Sequence, residues 1–203
     1  MTFLPEEVIG ARAAELWRSH RLEPGFDVEV LLDSLSIELL WESIPDDGND
    51  RILGQLDPGK RTVVLNERYL NALEAEGRRM LRYTVGHEIG HWILHSEAAQ
   101  SGTLSLLEDG RIWCRSGSAS SVERQAEMFS ARLLMPRDRL KLEKPTYPWS
   151  GWPVVYRLAE KFAVSPTSMI IRLEELGWGH RTRLGEPTSG LPQADGQFQL
   201  FIA

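Results

Sequence analysis

Apolar residues recur at three- and four-residue steps along several stretches of the chain, which predicts amphipathic helices. This spacing predicts helices over residues 5–20, 28–35, 78–94 and 121–135. Ser120 or Ser121 suits the N-cap of the fourth helix, and Pro136 is a stop signal at its end. The middle of the chain, from residue 78 to this proline, is therefore dominated by two long helices, with residues 102–121 between them.

The same spacing returns over residues 156–177, where it predicts a helix, a short turn and another helix. Ser165 suits the N-cap of the second of these helices, Pro166 its first position, and Gly177 its end. The stretch 137–153 is rich in Lys, Pro and Trp and predicts a connector. From residue 181 onward the chain contains Gly, Pro and Gln up to an apolar end, which predicts a mobile tail.

Shorter alternating patterns predict strands over residues 36–42, 51–56 and 61–66, with a turn at Asp57-Pro58-Gly59. A further short strand is predicted around residues 111–114, between the two long helices. Helices and a small antiparallel or mixed sheet together predict an α+β fold. An extended peptide can add to the exposed edge of such a sheet through backbone hydrogen bonds.

The helix predicted over residues 78–94 carries His-Glu-x-x-His at His87, Glu88 and His91. Residues i and i+4 of a helix share one face, so the two imidazoles can converge on one metal ion. Zinc suits such nitrogen ligands. Glu88 projects beside this face, where a carboxylate can take a proton from a water molecule at the metal. The motif predicts a zinc-dependent hydrolase.

Two histidines leave a catalytic zinc site one protein ligand short. His95 follows His91 by four residues, but the extended motif with a third histidine needs a Gly-bearing turn and a six-residue spacing. We therefore expect His95 to be a helix-end histidine near the negative pole of the helix dipole. Glu123 and Glu127 are better candidates. One of the two carboxylates can bind the metal while the other accepts a hydrogen bond from a ligand histidine. The alternative is that both are solvated charged residues at the start of a helix.

The segments 82–91 and 123–136, taken together, resemble the ImmA/IrrE family of metallo-endopeptidases. Both occur in the expected order, and the second ends in Leu-Leu-Met-Pro. The resemblance implies that His87, His91 and Glu123 bind Zn²⁺ and that Glu88 is the general base. With Glu123 as the ligand, Glu127 is the carboxylate left to accept a hydrogen bond from a ligand histidine.

Two positions depart from the family pattern. Glu127 stands where the family more often has Asn or Asp, and Tyr83 stands where it more often has Phe. The first departure bears on how the metal ligands are held, and the second is conservative.

The resemblance also implies a fold and a function. We expect a zincin-like metallopeptidase domain over residues 1–136, a connector and a helix-turn-helix-like subdomain over 137–180, and the mobile tail over 181–203. The implied function is that of a zinc-dependent endopeptidase. Its expected substrate is a protein, a helix-turn-helix transcriptional repressor, whose cleavage would switch on stress-response, mobile-element or prophage genes.

Composition bears on the alternatives. The chain has 203 residues, a net charge of −6 and a pI near 5.5, which argues against a basic nucleic-acid surface. Neither a signal pattern nor an apolar run of about 18 residues is visible, so we expect a cytoplasmic protein without membrane contact. The single cysteine, Cys114, cannot form an internal disulfide, and we expect it to be buried.

Two rival functions remain open. The helix-turn-helix-like stretch makes a DNA-binding regulator possible. Its second helix offers Thr167, Ser168 and Arg172 beside Glu174 and Glu175, which is little positive charge for binding phosphates. The other rival is a zincin-fold regulator that binds a repressor without cutting it.

Overall fold

The computed structural model describes residues 4–46, 48, 51–69, 75–100, 112–115, 121–143, 151–181, 187–189, 191–192 and 198–199. For residues 75, 76, 98–100, 113–115, 180, 187–189, 191–192 and 198–199 it describes the backbone only. The predicted residue Arg111 and much of the predicted tail lie outside the described residues.

The helices are α1 Glu6–Ser19, α2 Val28–Ser34, α3 Ala75–Gln100, α4 Ser121–Leu134, α5 Arg137–Glu143, α6 Trp152–Phe162 and α7 Pro166–Glu175. Side-chain caps begin two of them. The Asp27 carboxylate accepts a hydrogen bond from the Glu29 N–H at the start of α2. The Ser165 hydroxyl accepts one from the Ser168 N–H at the start of α7, where Pro166 is the first helical residue, as the sequence predicts.

Four strands form a mixed sheet in the described part of the chain: β1 Glu38–Glu42, β2 Ile52–Asp57, β3 Thr62–Asn66 and β4 Ile112–Arg115. Their order is β1-β3-β2-β4. β1 runs parallel to β3, whereas β2 is antiparallel to both β3 and β4. β1 and β4 are therefore the outer strands. Cys114 lies in β4, as the sequence predicts, and it is opposite Gly54 of β2.

α3 packs against both the sheet and α4, so it occupies the middle layer of the fold. Its apolar residues Val85 and Ile89 are fully buried. The same apolar cluster includes buried residues of the strands, of α4 and of the C-terminal helices, namely Leu56, Val63, Leu65, Phe129, Leu133, Val155, Phe162, Met169 and Leu173. One continuous core thus fixes α3 in place, and the predicted domain boundary after residue 136 stays a prediction.

The predicted α+β fold class is confirmed, and the main differences concern helix length. α3 extends to Gln100 rather than ending at Leu94, because Ser96, Glu97, Ala98 and Ala99 contain no helix-breaking residue. The predicted connector is partly helical. α5 occupies its start, where Leu140 is 2% exposed and joins the core, and α6 begins within it at Trp152.

Within the tail, the structure describes two short ladders. β5 Gly179–Arg181 pairs with β6 Pro187–Ser189, and β7 Leu191–Pro192 pairs with β8 Phe198–Gln199, both antiparallel. The predicted mobility of this tail stays a prediction. Of the helices described, none combines the length and the apolar character that a bilayer span requires.

Candidate metal centre

α3 places the His87 and His91 side chains one above the other on the face that meets α4. Their Nε2 atoms are 2.9 Å apart, and their ring centroids are 4.6 Å apart. His87 is 4% exposed and His91 is fully buried. The i, i+4 spacing therefore brings two ring nitrogens to one point, as the sequence predicts.

α4 brings the Glu123 carboxylate to the same point. Its Oε2 lies 3.1 Å from His87 Nε2, and its Oε1 lies 3.3 Å from His91 Nε2. Glu123 is 7% exposed. The three residues form a buried group whose candidate ligand atoms all lie within 4.8 Å of one another.

Two glycines allow this approach of α4 to α3. An ideal Cβ on Gly90 would lie 3.1 Å from both the Cα and the carbonyl oxygen of Ala126. One on Gly86 would lie 2.7 Å from the Ser130 hydroxyl oxygen. Larger residues at these positions would separate the helices. The motif alone gives Gly86 and Gly90 no role, although their four-residue spacing on one helix face is visible in the sequence.

The geometry of the triad suits a tetrahedral ion. With zinc–ligand bonds of about 2.0–2.1 Å, the ligand atoms of a tetrahedral site lie about 3.3 Å apart. The two histidine Nε2 atoms are 2.9 Å apart, and they lie 3.1 and 3.3 Å from different oxygens of the Glu123 carboxylate. These separations are close to the spacing of a tetrahedral zinc site, in which one of the two oxygens would be the third ligand atom.

The protonation states of His91 and Glu123 at neutral pH are compatible with metal binding. Burial lowers the pKa of His91 to about 4, although Glu123 partly opposes that effect. Burial alone would raise the pKa of Glu123, but hydrogen bonding to His87 and His91 outweighs burial and lowers this pKa to about 2. At neutral pH the set therefore contains a neutral His91 and an ionised Glu123, which are the forms that bind a divalent cation.

Glu88 lies on the next face of α3, towards the sheet, and is fully buried. An ideal Cβ on Gly54 of β2 would be 3.3 Å from Glu88 Oε1 and 3.3 Å from Thr84 Cγ2. The carboxylate of Glu88 thus lies against Gly54, where a Cβ would also be 3.2 Å from the Val64 carbonyl oxygen, so a larger residue would crowd it. Glu88 is not part of the group of three candidate ligands, and its predicted role as a base stays a prediction.

The position of His95 differs from the one that the sequence predicts. It is fully buried inside α3 rather than near the helix end, and its Nδ1 is 3.1 Å from His91 Nδ1. Because His91 presents Nε2 to the triad, His95 lies on the opposite side of the His91 ring. Burial, together with the neighbouring His91, lowers the pKa of His95 to about 3.

Glu127 is exposed, one turn after Glu123 on α4. Among the hydrogen bonds that the structure describes, none joins Glu127 to His87 or His91, so its predicted supporting role stays a prediction. Although this side chain is exposed, partial desolvation by the surrounding protein raises the pKa of its carboxyl group. Glu127 and Tyr83 line an open cavity of about 940 Å³ between α1, α4, α5 and α7, whose walls include none of the three candidate ligands.

Comparisons with known proteins agree with this site. The sequence profile of Peptidase_M78, the IrrE N-terminal-like domain, matches residues 55–174, which include the whole triad. No curated protein matches the chain. Among solved structures, a protein described as a Mycobacterium tuberculosis transcriptional regulator is similar with a TM-score of 0.50 and 15% identity. The alignment covers 83% of this chain but only 47% of that protein, so it bears on the fold alone.

Proposed function

The chain belongs to the IrrE N-terminal-like domain family, and from this premise we propose that it is a zinc-dependent endopeptidase. One observation carries the proposal. His87, His91 and Glu123 come from two different helices, yet they form one buried group whose nitrogen and carboxylate oxygen atoms lie 2.9–3.3 Å apart, close to the spacing of a tetrahedral zinc site.

The proposed roles follow from position. His87, His91 and Glu123 would hold the ion. Zinc bound there supplies Lewis acidity, which polarises a scissile carbonyl and lowers the pKa of a water molecule. Glu88 takes the proton from the attacking water and later returns a proton to the leaving amine. Its burial beneath β2 keeps bulk water away from the carboxylate.

The sheet offers a place for the substrate backbone. β4 is the outer strand next to β2, whose Gly54 lies against Glu88. β1, the other outer strand, is separated from β2 by β3. We therefore expect an extended peptide to pair with β4, where its backbone would pass close to Glu88.

The proposed substrate is a helix-turn-helix transcriptional repressor. This choice is supported by the resemblance of the two metal-site segments to ImmA/IrrE metallo-endopeptidases. Cleavage would remove the repressor and switch on stress-response, mobile-element or prophage genes. Such a substrate implies that the enzyme acts in the cytoplasm.

A direct DNA-binding function is less well supported. Arg172 is the basic residue of α7, the helix that would enter the major groove. It is 5% exposed, its Nε donates to the Met135 carbonyl, and its guanidinium pairs with Glu175. Burial lowers the pKa of Arg172. The charge that phosphate binding would need is therefore directed into the protein.

The proposal can be tested by co-expressing the protein with the repressor that is encoded nearest to its gene. Wild type is compared with Glu88→Gln, which removes the base and leaves the three ligands in place. Glu97→Gln is the matched control, since it makes the same change at an exposed position of the same helix. Repressor length is determined by intact mass.

We expect a discrete cut with wild type and Glu97→Gln but not with Glu88→Gln, and equal zinc content in all three proteins. Cutting by Glu88→Gln would refute the assigned base. An intact repressor that co-purifies with all three proteins would favour the non-catalytic regulator. If neither cutting nor binding occurs, the repressor is the wrong substrate, and the zinc content then tests the metal site separately.

A further inference from the structure

His95 forms a contact with a candidate ligand that the proposed reaction does not use. Its Nδ1 lies 3.1 Å from Nδ1 of His91, and both rings are fully buried. The ring centroids are 5.2 Å apart with an angle of 52° between the planes, so the rings are tilted rather than stacked. The contact therefore joins the two nitrogens edge to edge.

A hydrogen bond between two such nitrogens requires one donor and one acceptor. A histidine that offers its Nε2 lone pair to a metal carries its own hydrogen on Nδ1. His91 faces the triad with Nε2, so its Nδ1–H is the donor in the metal-bound protein. Nδ1 of His95 must then be the acceptor, and the hydrogen of His95 resides on Nε2.

We propose that His95 is a positioning residue that accepts the Nδ1–H hydrogen bond of His91 and thereby fixes the tautomer and ring orientation of this ligand. This assignment rests on the proposed zinc site. In many zinc sites a carboxylate or a backbone carbonyl performs this task. Here the neutral ring of a second histidine, one helical turn further along α3, occupies that place.

Two other roles for His95 fit the geometry less well. As a ligand, His95 would have to approach the ion on the Nε2 side of His91, but its closest ring contact is with Nδ1. As simple packing, an imidazole is a poor choice, since burying its polar nitrogens costs free energy that an apolar side chain would avoid. Glu127, which the sequence suggested for this task, is exposed.

The test uses full-length His95→Asn and His95→Leu with wild type as the reference. Asn places a side-chain oxygen close to the position of the His Nδ1 atom and keeps an acceptor, whereas Leu fills the space without one. Zinc affinity is measured by competition with a chromophoric chelator. Circular dichroism and thermal melting show whether each variant has folded.

We expect His95→Leu to bind zinc about 10–100-fold more weakly than wild type, in line with other residues that orient zinc ligands. His95→Asn should recover most of that loss. A packing role predicts the opposite order, because Leu fills the buried site better than Asn. Equal affinity of wild type and folded His95→Leu would overturn the assignment and leave the zinc site intact, whereas failure of wild type to bind zinc would overturn both.

A second measurement does not depend on the variants. Long-range ¹H–¹⁵N correlation spectra of the zinc-loaded wild-type protein report which ring nitrogen of each histidine carries hydrogen. We expect hydrogen on Nδ1 of His91 and on Nε2 of His95. Hydrogen on Nδ1 of His95 would refute the proposal, because that nitrogen could then not accept from His91.

Discussion

Gly90→Ala tests whether the spacing of α3 and α4 positions the third ligand. The added Cβ would lie 3.1 Å from the Cα and the carbonyl oxygen of Ala126 and 3.3 Å from the Phe129 Cβ. Two of these atoms belong to the backbone, so no side-chain rotation can relieve the contact. Since carbon–carbon contacts need about 3.5–4.0 Å, α4 must move away by roughly 0.5 Å.

That displacement is large for a metal site. Glu123 precedes Ala126 by less than one turn of α4 and moves with it, whereas zinc–ligand distances tolerate only about 0.2 Å. We expect the dissociation constant for zinc to rise about 10–100-fold, as for other changes that misplace a ligand, which corresponds to about 1.4–2.8 kcal/mol. The free energy of unfolding should change less than the free energy of zinc binding. Overpacking costs about 1–3 kcal/mol, and the higher helix propensity of alanine returns about 1 kcal/mol.

Gly10→Ala is the matched control. It makes the same substitution on α1, where the new Cβ would lie 3.6 Å from the Arg132 Cδ at an ordinary contact distance. Zinc affinity is measured by chelator competition and stability by urea denaturation of the metal-free proteins. If Gly90→Ala binds zinc as tightly as Gly10→Ala does, the close approach at Gly90 does not determine the position of Glu123.

Three further predictions follow from the same geometry. Glu123→Gln should lower zinc affinity by about 100-fold or more because a neutral amide replaces the anionic ligand, and unchanged zinc content after dialysis would contradict this. Gly54→Ala should slow cleavage about tenfold or more at unchanged zinc content, because the new Cβ displaces the Glu88 carboxylate. Gly59→Ala, in the turn between β2 and β3, is the control. There the atom nearest to the new Cβ would be 3.4 Å away. The metal-free protein should lose stability as the pH falls from about 6.5 towards 4. The pKa of His91 is about 4 in the folded chain and about 6.5 in the unfolded chain, so in this range the unfolded chain binds a proton that the folded chain does not. Thermal melting in EDTA measures this slope, which should become shallower in His91→Gln.

The sequence predicts the local half of the site. His87, Glu88 and His91 lie within one helical turn, so the periodicity of α3 is enough to place two ligands on one face and the base beside them. The approach of α4 is a tertiary property. Nothing in the spacing of Glu123 and Glu127 decides which carboxylate meets the histidines, and only the family resemblance favoured Glu123 over Glu127.

Other differences have equally physical causes. α5 was predicted to be part of a connector because the Lys- and Pro-rich composition further along masked the apolar Leu140, which is buried in the core. His95 was expected at a helix end because the predicted helix stops at Leu94, whereas α3 continues for six more residues, to Gln100. The order of the strands depends on the pairing of β4 with β2 across the whole of α3, which no local pattern encodes.

The candidate metal centre lies beside an apolar core formed by other residues. Val85 and Ile89 of α3 and Phe129 and Leu133 of α4 are all fully buried, and they join the two helices independently of the three candidate ligands. In a small zinc finger, by contrast, the free energy of zinc binding is the free energy of folding. We therefore expect substitutions of Glu88, Glu123 and His95 to change chemistry or metal affinity in a chain that still folds, so that their effects can be assigned to the site rather than to unfolding.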